Sequence, residues 1–292
     1  MATKRQFDKE TILNSTDIEQ AIMNNIATAM RKMWQFSFDE HGNNRSSAKT
    51  DLLHKSWENV LKDSFGDYQD LFVNNFGLVV EKENTGSKKT DRIKQIVDIF
   101  GSKFKVDMLM THNENIHTVF LLKAPLTSIN KNRYNSALNN FGEIDRFYGN
   151  PENKNIELVF VNLTPKETFT VDDKKNSIKN ETVQYLGLNQ DDNGNRPIDK
   201  LPKTEEIKRK VHEIHIEYGI KFNKNFADIL TKDELKKQIQ TTQNFVSLGA
   251  GSVNELKNYI EHFINSNSHI LNIDLNAGND DSIPGTQMKL KF

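Results

Sequence analysis

The segment Ile156 to Leu163, IELVFVNL, constrains the fold more than any other stretch of this chain. A short apolar run rich in β-branched residues, with no polar alternation, suits a strand covered on both faces. Such a strand belongs at the centre of a sheet with helices on either side. The residues before it supply one such helix, because Ser128 to Tyr148 has a helical pattern and Pro125 ends the segment that precedes it.

The rest of the chain fills in an α/β order. Thr16-Asp17-Ile18-Glu19 reads as a capping box, followed by Ile18, Ile22, Ile26 and Met33 at helical spacing to about Phe36. A polar loop, His41 to Ser47, leads to a second helix from Thr50 to Phe65 with Leu53, Trp57, Val60 and Leu61 on one face. Phe76 to Glu83 is strand-like. A basic loop, Asn84 to Thr90, and a short helix around Arg92 to Phe100 come next. Lys105 to Thr111 and His117 to Lys123 then form two strands joined at His112-Asn113-Glu114-Asn115, a hairpin.

After Thr164 the character changes. Residues 165 to 203 are polar and read as an irregular excursion. Thr231-Lys232-Asp233-Glu234 and Ser252-Val253-Asn254-Glu255 are two further capping boxes, and Ile270 to Leu275 and Met288 to Phe292 are strand-like. The expected division is 1–164, N-terminal helices and a core, and 165–292, a C-terminal subdomain on that same core.

Composition removes several chemistries. With no cysteine, there is no disulfide scaffold, thiolate zinc site or cysteine nucleophile. The 18 Phe and 2 Trp supply bulky core material in an otherwise polar chain of mean hydropathy -0.68. The N-terminus MATKRQFDKE has no apolar run, and no stretch reaches bilayer length, so the expected location is cytoplasmic, away from membranes. A net charge of -1, from 39 basic and 40 acidic residues, means that nucleic-acid binding would need a locally basic surface.

Two residues of the hairpin carry the chemistry. Val106-Asp107 opens one strand and Phe120-Leu121-Leu122-Lys123 ends the next. A turn at Asn113 puts Asp107 and Lys123 at one end of neighbouring strands. With the order helix, strand, hairpin, helix, strand over residues 50 to 163, this segment resembles the core of the PD-(D/E)xK nucleases, which include most type II restriction endonucleases. The resemblance implies a restriction-endonuclease-like core, a central mixed sheet flanked by helices, with additional helical and C-terminal mixed elements. It also implies Mg²⁺ as cofactor and double-stranded DNA as substrate, with hydrolysis of phosphodiester bonds at a specific sequence by a homodimer.

In that family the metal serves both to activate water and to stabilise charge on phosphorus. Asp107 would be the bridging metal ligand, with the Leu122 carbonyl beside it. Lys123 would contact the attacking water and the scissile phosphate. The family's second acid, two residues before the lysine, is here Leu121, which cannot ligate a metal. Either a carboxylate has migrated, or the chain is an inactivated form, or it keeps the fold without the activity. Migration is the favoured reading. Glu58, Glu81 and Glu143 are the candidates, with Glu81 and Glu58 first to test.

Candidate DNA contacts are Lys88, Lys89 and Arg92 in the basic loop, and Asn130, Lys131, Asn132, Arg133 and Asn135 on the helix after Lys123. Lys208-Arg209-Lys210, with His212 and His215 nearby, is another basic stretch on an apparent helix, either a DNA contact or, the favoured reading, a charged outer face. No further ligand clusters with that His pair in the sequence, and Ser247 to Ser252 has no phosphate-loop lysine. The rival readings are a repair or mobile-element nuclease of the same superfamily, and a catalytically decayed DNA-binding protein.

Overall fold

The computed structural model describes residues 4–9, 13–38, 48–80, 96–189 and 195–275. Their helices are α1 (Ser15–Phe38), α2 (Ala48–Asp63), α3 (Gln69–Asn75), α4 (Ile129–Tyr148), α5 (Glu205–Lys210), α6 (Lys232–Thr241) and α7 (Ala250–Leu271). The strands are β1 (Arg5–Gln6), β2 (Gly77–Val80), β3 (Met108–His112), β4 (Asn115–Lys123), β5 (Glu157–Pro165), β6 (Glu167–Asp172), β7 (Ser177–Thr182), β8 (Val211–Ile220), β9 (Val246–Leu248) and β10 (Ile273–Asp274).

A six-stranded mixed sheet organises the molecule, in the order β2-β3-β4-β5-β8-β9. The pairs at both edges are antiparallel, while β4, β5 and β8 run parallel. Helix α4 makes the crossover from β4 to β5, as parallel neighbours require. The β3–β4 hairpin closes where the sequence says it should: Asn113 and Glu114 have φ of 47° and 68° between the pair His112 and Asn115. Two left-handed positions make a type I′ turn, which suits Asn first and Gly second. Glu114→Gly is therefore expected to stabilise the fold by about 1 kcal/mol, by relieving a side chain held at positive φ. An upward shift of the thermal midpoint checks this, and a downward one refutes it.

Side-chain alternation along the strands divides the interior in two. Phe120 and Leu122 of β4, Val159 and Val161 of β5, and Ile214 and Ile216 of β8 enter one core with α1, α2 and α7. Val119 and Leu121, Leu158 and Phe160, and Val211 enter a second core under Ile144, Phe147 and Tyr148 of α4. The run Leu158 to Leu163 is buried throughout, as its lack of alternation predicts.

Several elements differ from the sequence reading. Helix α1 begins at Ser15, with Asn14 Oδ1, not Thr16, accepting an N–H of the first turn, from Thr16 at 2.9 Å. The described part of the expected helix near Arg92 to Phe100 is a turn closed by a bridge between Val97 and Lys103. The expected irregular excursion contains the β6–β7 hairpin, whose Phe169 is fully buried against Trp34 and Phe38.

Thr231 caps α6 as read, accepting from Glu234 N–H at 3.2 Å. Ser252 instead lies inside α7 and donates to the Glu217 carbonyl at 2.7 Å, because the helix already starts at Ala250. Most of Ile270 to Leu275 continues α7 or follows it, leaving only β10, which pairs with β1. The strand expected at Met288 to Phe292 lies outside the described residues. The expected boundary at 165 falls at the end of β5, and the chain beyond it returns to add β8 and β9 to the same sheet. Among the described residues, no helix is long and apolar enough to cross a membrane.

Candidate active site

Where β4 ends, the α4 side of the sheet opens into a cleft of about 670 Å³. Asp107, Leu121, Leu122, Lys123, Arg133 and Glu143 line it, with Asn162 and Thr164 from β5 and Tyr185 beyond. The hairpin register makes this possible: Met108 lies opposite Phe120, so Asp107 falls opposite Leu121, within reach of the next backbone N–H. The Asp107 Oδ2 accepts the Leu122 N–H at 2.7 Å. Its Oδ1 stands 3.4 Å from Nε2 of His54, a buried side chain on α2.

Lys123 follows the alternation of Val119 and Leu121 and so projects toward α4. There its Nζ meets Glu143 Oε1 at 2.9 Å. The other oxygen, Glu143 Oε2, is buried and has no hydrogen-bond partner among the described residues. A carboxylate oxygen in that state is unusual and costly unless a cation or donor fills the place.

Of the two nominated carboxylates among the described residues, Glu143 is therefore the one placed in the cleft. Glu58 is on α2, where Lys55 and Lys62 pair with it at 2.6 and 2.5 Å and hold its pKa below the usual range against its burial. It does not line the cleft, and its two lysine partners already occupy both of its oxygens. Glu81 lies outside the described residues, as do Lys88, Lys89 and Arg92. Leu121 itself is a core residue of the α4 face, which explains its apolar character.

The helix candidates divide by what already holds them. Asn130 is tied to β7: its amide donates to the Thr182 carbonyl at 2.7 Å, and its oxygen accepts from Gln184 N–H at 2.8 Å. Asn132 donates to the Ser128 carbonyl of its own helix at 3.1 Å. Lys131 and Asn135 are exposed. Arg133 reaches the cleft, with its guanidinium over the Tyr134 ring at 5.0 Å. Lys105, unforeseen from sequence, also lines the cleft, whereas Arg146 is engaged by the buried Asp98. Lys208 and Lys210 pair with Glu205 and Glu206 on their own short helix, as a charged outer face predicts.

The far wall of the cleft is built on a buried carboxylate. Glu213 Oε1 accepts from Asn162 Nδ2 at 2.6 Å and from the Tyr185 hydroxyl. Its Oε2 accepts the N–H groups of Leu188 and Asn189 at 2.6 and 2.9 Å. Burial raises the Glu213 pKa, and these four donors oppose the rise. Gly187 lets the segment close on the carboxylate, since a Cβ there would lie 2.7 Å from Glu213 Oε2. His215, on the same face of β8, stacks on Tyr185 at 3.8 Å, and burial pushes its pKa down to about 4.

His212 and His215 are on a strand, not on the helix expected for them, and three residues apart they face opposite sides of it. His212 points to the α7 side. There it meets Glu157 and His262, two ligand types that no local spacing in the sequence associates with it. Comparison with family models, curated proteins and solved structures gives no match to this chain.

Proposed function

We propose that this protein is a Mg²⁺-dependent, sequence-specific double-stranded DNA endonuclease with a restriction-endonuclease-like core, in which Glu143 stands in for the acid absent at Leu121. The observation that carries the reading is the convergence of Asp107, Lys123 and Glu143 in one cleft, with Glu143 Oε2 buried and unpartnered. The topology agrees: a helix, an antiparallel three-strand unit, a crossover helix and a parallel strand follow one another in the order that the PD-(D/E)xK core has.

The donor set fits the cofactor. Mg²⁺ takes oxygen ligands and usually keeps several waters, so one or two carboxylates suffice. Asp107 and Glu143 are the carboxylates. The Leu122 carbonyl is a third oxygen, because a strand residue turns its N–H and C=O to the same neighbour and Leu122 N–H already faces Asp107. When bound, the ion would supply Lewis-acid activation of water and neutralise phosphoryl charge.

The chain's own groups do the rest. Lys123 presents its ammonium to the scissile phosphate and the attacking water, and Glu143 Oε1 fixes where that ammonium sits. Lys105 and Arg133 line the cleft and attract the DNA backbone. Exposed Lys131 and Asn135 extend that surface along α4. A two-fold dimer would match a palindromic target by symmetry.

Incubating the purified protein with plasmid or phage DNA and Mg²⁺ tests this. Discrete fragments that vanish with chelator support a site-specific enzyme. A smear points to a less specific nuclease of the same superfamily. DNA left uncut across a range of salt and Mg²⁺ or Mn²⁺ concentrations overturns the proposal, and Mg²⁺-indifferent binding would then mark a DNA-binding protein.

A further inference from the structure

On the opposite face and at the opposite end of the sheet, Glu157 at the start of β5, His212 near the start of β8 and His262 on α7 converge. Glu157 Oε1 lies 3.6 Å from His262 Nε2 and 4.0 Å from His212 Nε2, and one ligand atom from each residue falls within 4.8 Å of the others. The two imidazoles face each other with ring centroids 4.3 Å apart. None of these separations is a hydrogen bond.

Three polar atoms here are buried without a hydrogen-bond partner among the described residues: His212 Nε2, His262 Nε2 and Glu157 Oε2. Buried polar atoms are nearly always satisfied, so three on one cluster of residues require an explanation. A cation held by the two imidazole nitrogens and the Glu157 carboxylate supplies one.

We propose that Glu157, His212 and His262 form a binding site for a borderline divalent transition metal, Zn²⁺ being the natural occupant. Two imidazole nitrogens and one carboxylate make a ligand set that suits Zn²⁺ and disfavours Mg²⁺. Ligand bonds of about 2.0–2.2 Å would draw the three atoms slightly closer than they stand here. Three protein ligands leave a fourth position for water, and the half-exposed His262 provides access to it. Since the ligands come from two strands and a helix, the ion would clamp α7 to the sheet.

The site is separate from the cleft. Glu157 is five residues before Asn162, the partner of Lys123 in the β4–β5 register. That places the two sites about 16 Å apart along β5, on opposite faces. The inference therefore does not depend on the nuclease reading.

Chelator-stripped protein titrated calorimetrically with Zn²⁺, and separately with Mg²⁺, provides the test. One equivalent of Zn²⁺ is expected to bind and to raise the thermal midpoint. His262→Gln, at the most accessible ligand, should keep the metal-free midpoint yet weaken Zn²⁺ binding by at least about 100-fold, beyond the range seen for outer-shell changes. Glu157→Gln should weaken it as well, and Asp107→Asn should not. Absence of saturable Zn²⁺ binding overturns the proposal, and so does binding that survives in both His262→Gln and Glu157→Gln. Loss of binding only in Asp107→Asn would also overturn it, by placing the ion in the cleft.

Discussion

Asp107→Asn is expected to lower Mg²⁺-dependent DNA cleavage on the order of 10²–10⁴-fold while leaving the fold in place. The amide oxygen of Asn still accepts the Leu122 N–H that Asp107 Oδ2 receives at 2.7 Å, so the local structure keeps its hydrogen bond. What is lost is the negative charge. Metal-held charge stabilisation is worth several kcal/mol in the transition state, and each 1.36 kcal/mol corresponds to about a factor of ten in rate. Lys123→Met should reduce cleavage to a similar extent, by deleting the ammonium at nearly constant volume.

Glu143→Gln separates two roles. It keeps an acceptor for Lys123, so a positioning role alone leaves most activity, whereas an oxygen that holds metal makes the Mg²⁺ requirement rise sharply. Single-turnover cleavage measured against Mg²⁺ concentration reads all three variants. If Asp107→Asn and Lys123→Met both cleave within a few-fold of the parent, the chemistry does not lie in this cleft.

The largest structural effect is expected at Glu213. Glu213→Ala removes the acceptor for Asn162, Tyr185, Leu188 N–H and Asn189 N–H together. At about 1 kcal/mol for each buried or half-buried donor left unsatisfied, the loss is about 4 kcal/mol. Glu213→Gln retains one acceptor oxygen and should cost less. Urea unfolding with an unchanged slope and a lower midpoint would show this directly. An alanine variant as stable as the parent would mean that water replaces the carboxylate and the cleft wall is not built on it.

What was legible in the sequence was governed by local rules. The hairpin at Asn113-Glu114 and the buried run of β5 depend on turn chemistry and side-chain periodicity, which act over a few residues. The juxtaposition of Asp107 and Lys123 follows from that hairpin, and so was readable as well. The second carboxylate of the cleft is only narrowed to a few candidates by the sequence, because it turns on which way α4 presents Glu143 and α2 presents Glu58.

One failure comes from long separation along the chain. Glu157, His212 and His262 are brought together only when β5, β8 and α7 are in register, and no spacing rule spans such gaps. The charged run Lys208 to Lys210 made a helix through His212 plausible, yet α5 ends at Lys210 and β8 begins at once. The β6–β7 hairpin escaped notice because its polar composition masks its two buried apolar residues, Phe169 and Ile178.

The parallel pairing of β5 with β8 also dictates when this protein can fold. Residues 157–165 leave the ribosome well before 211–220, so the strand at the centre of the finished sheet first exists with one open edge. Such an edge, carrying Val159, Val161 and Leu163, is a template for association with other chains. A fragment ending near residue 165 would therefore contain Asp107, Lys123 and Glu143 and yet tend to aggregate. During synthesis, the interval between the two strands is when a chaperone would matter most.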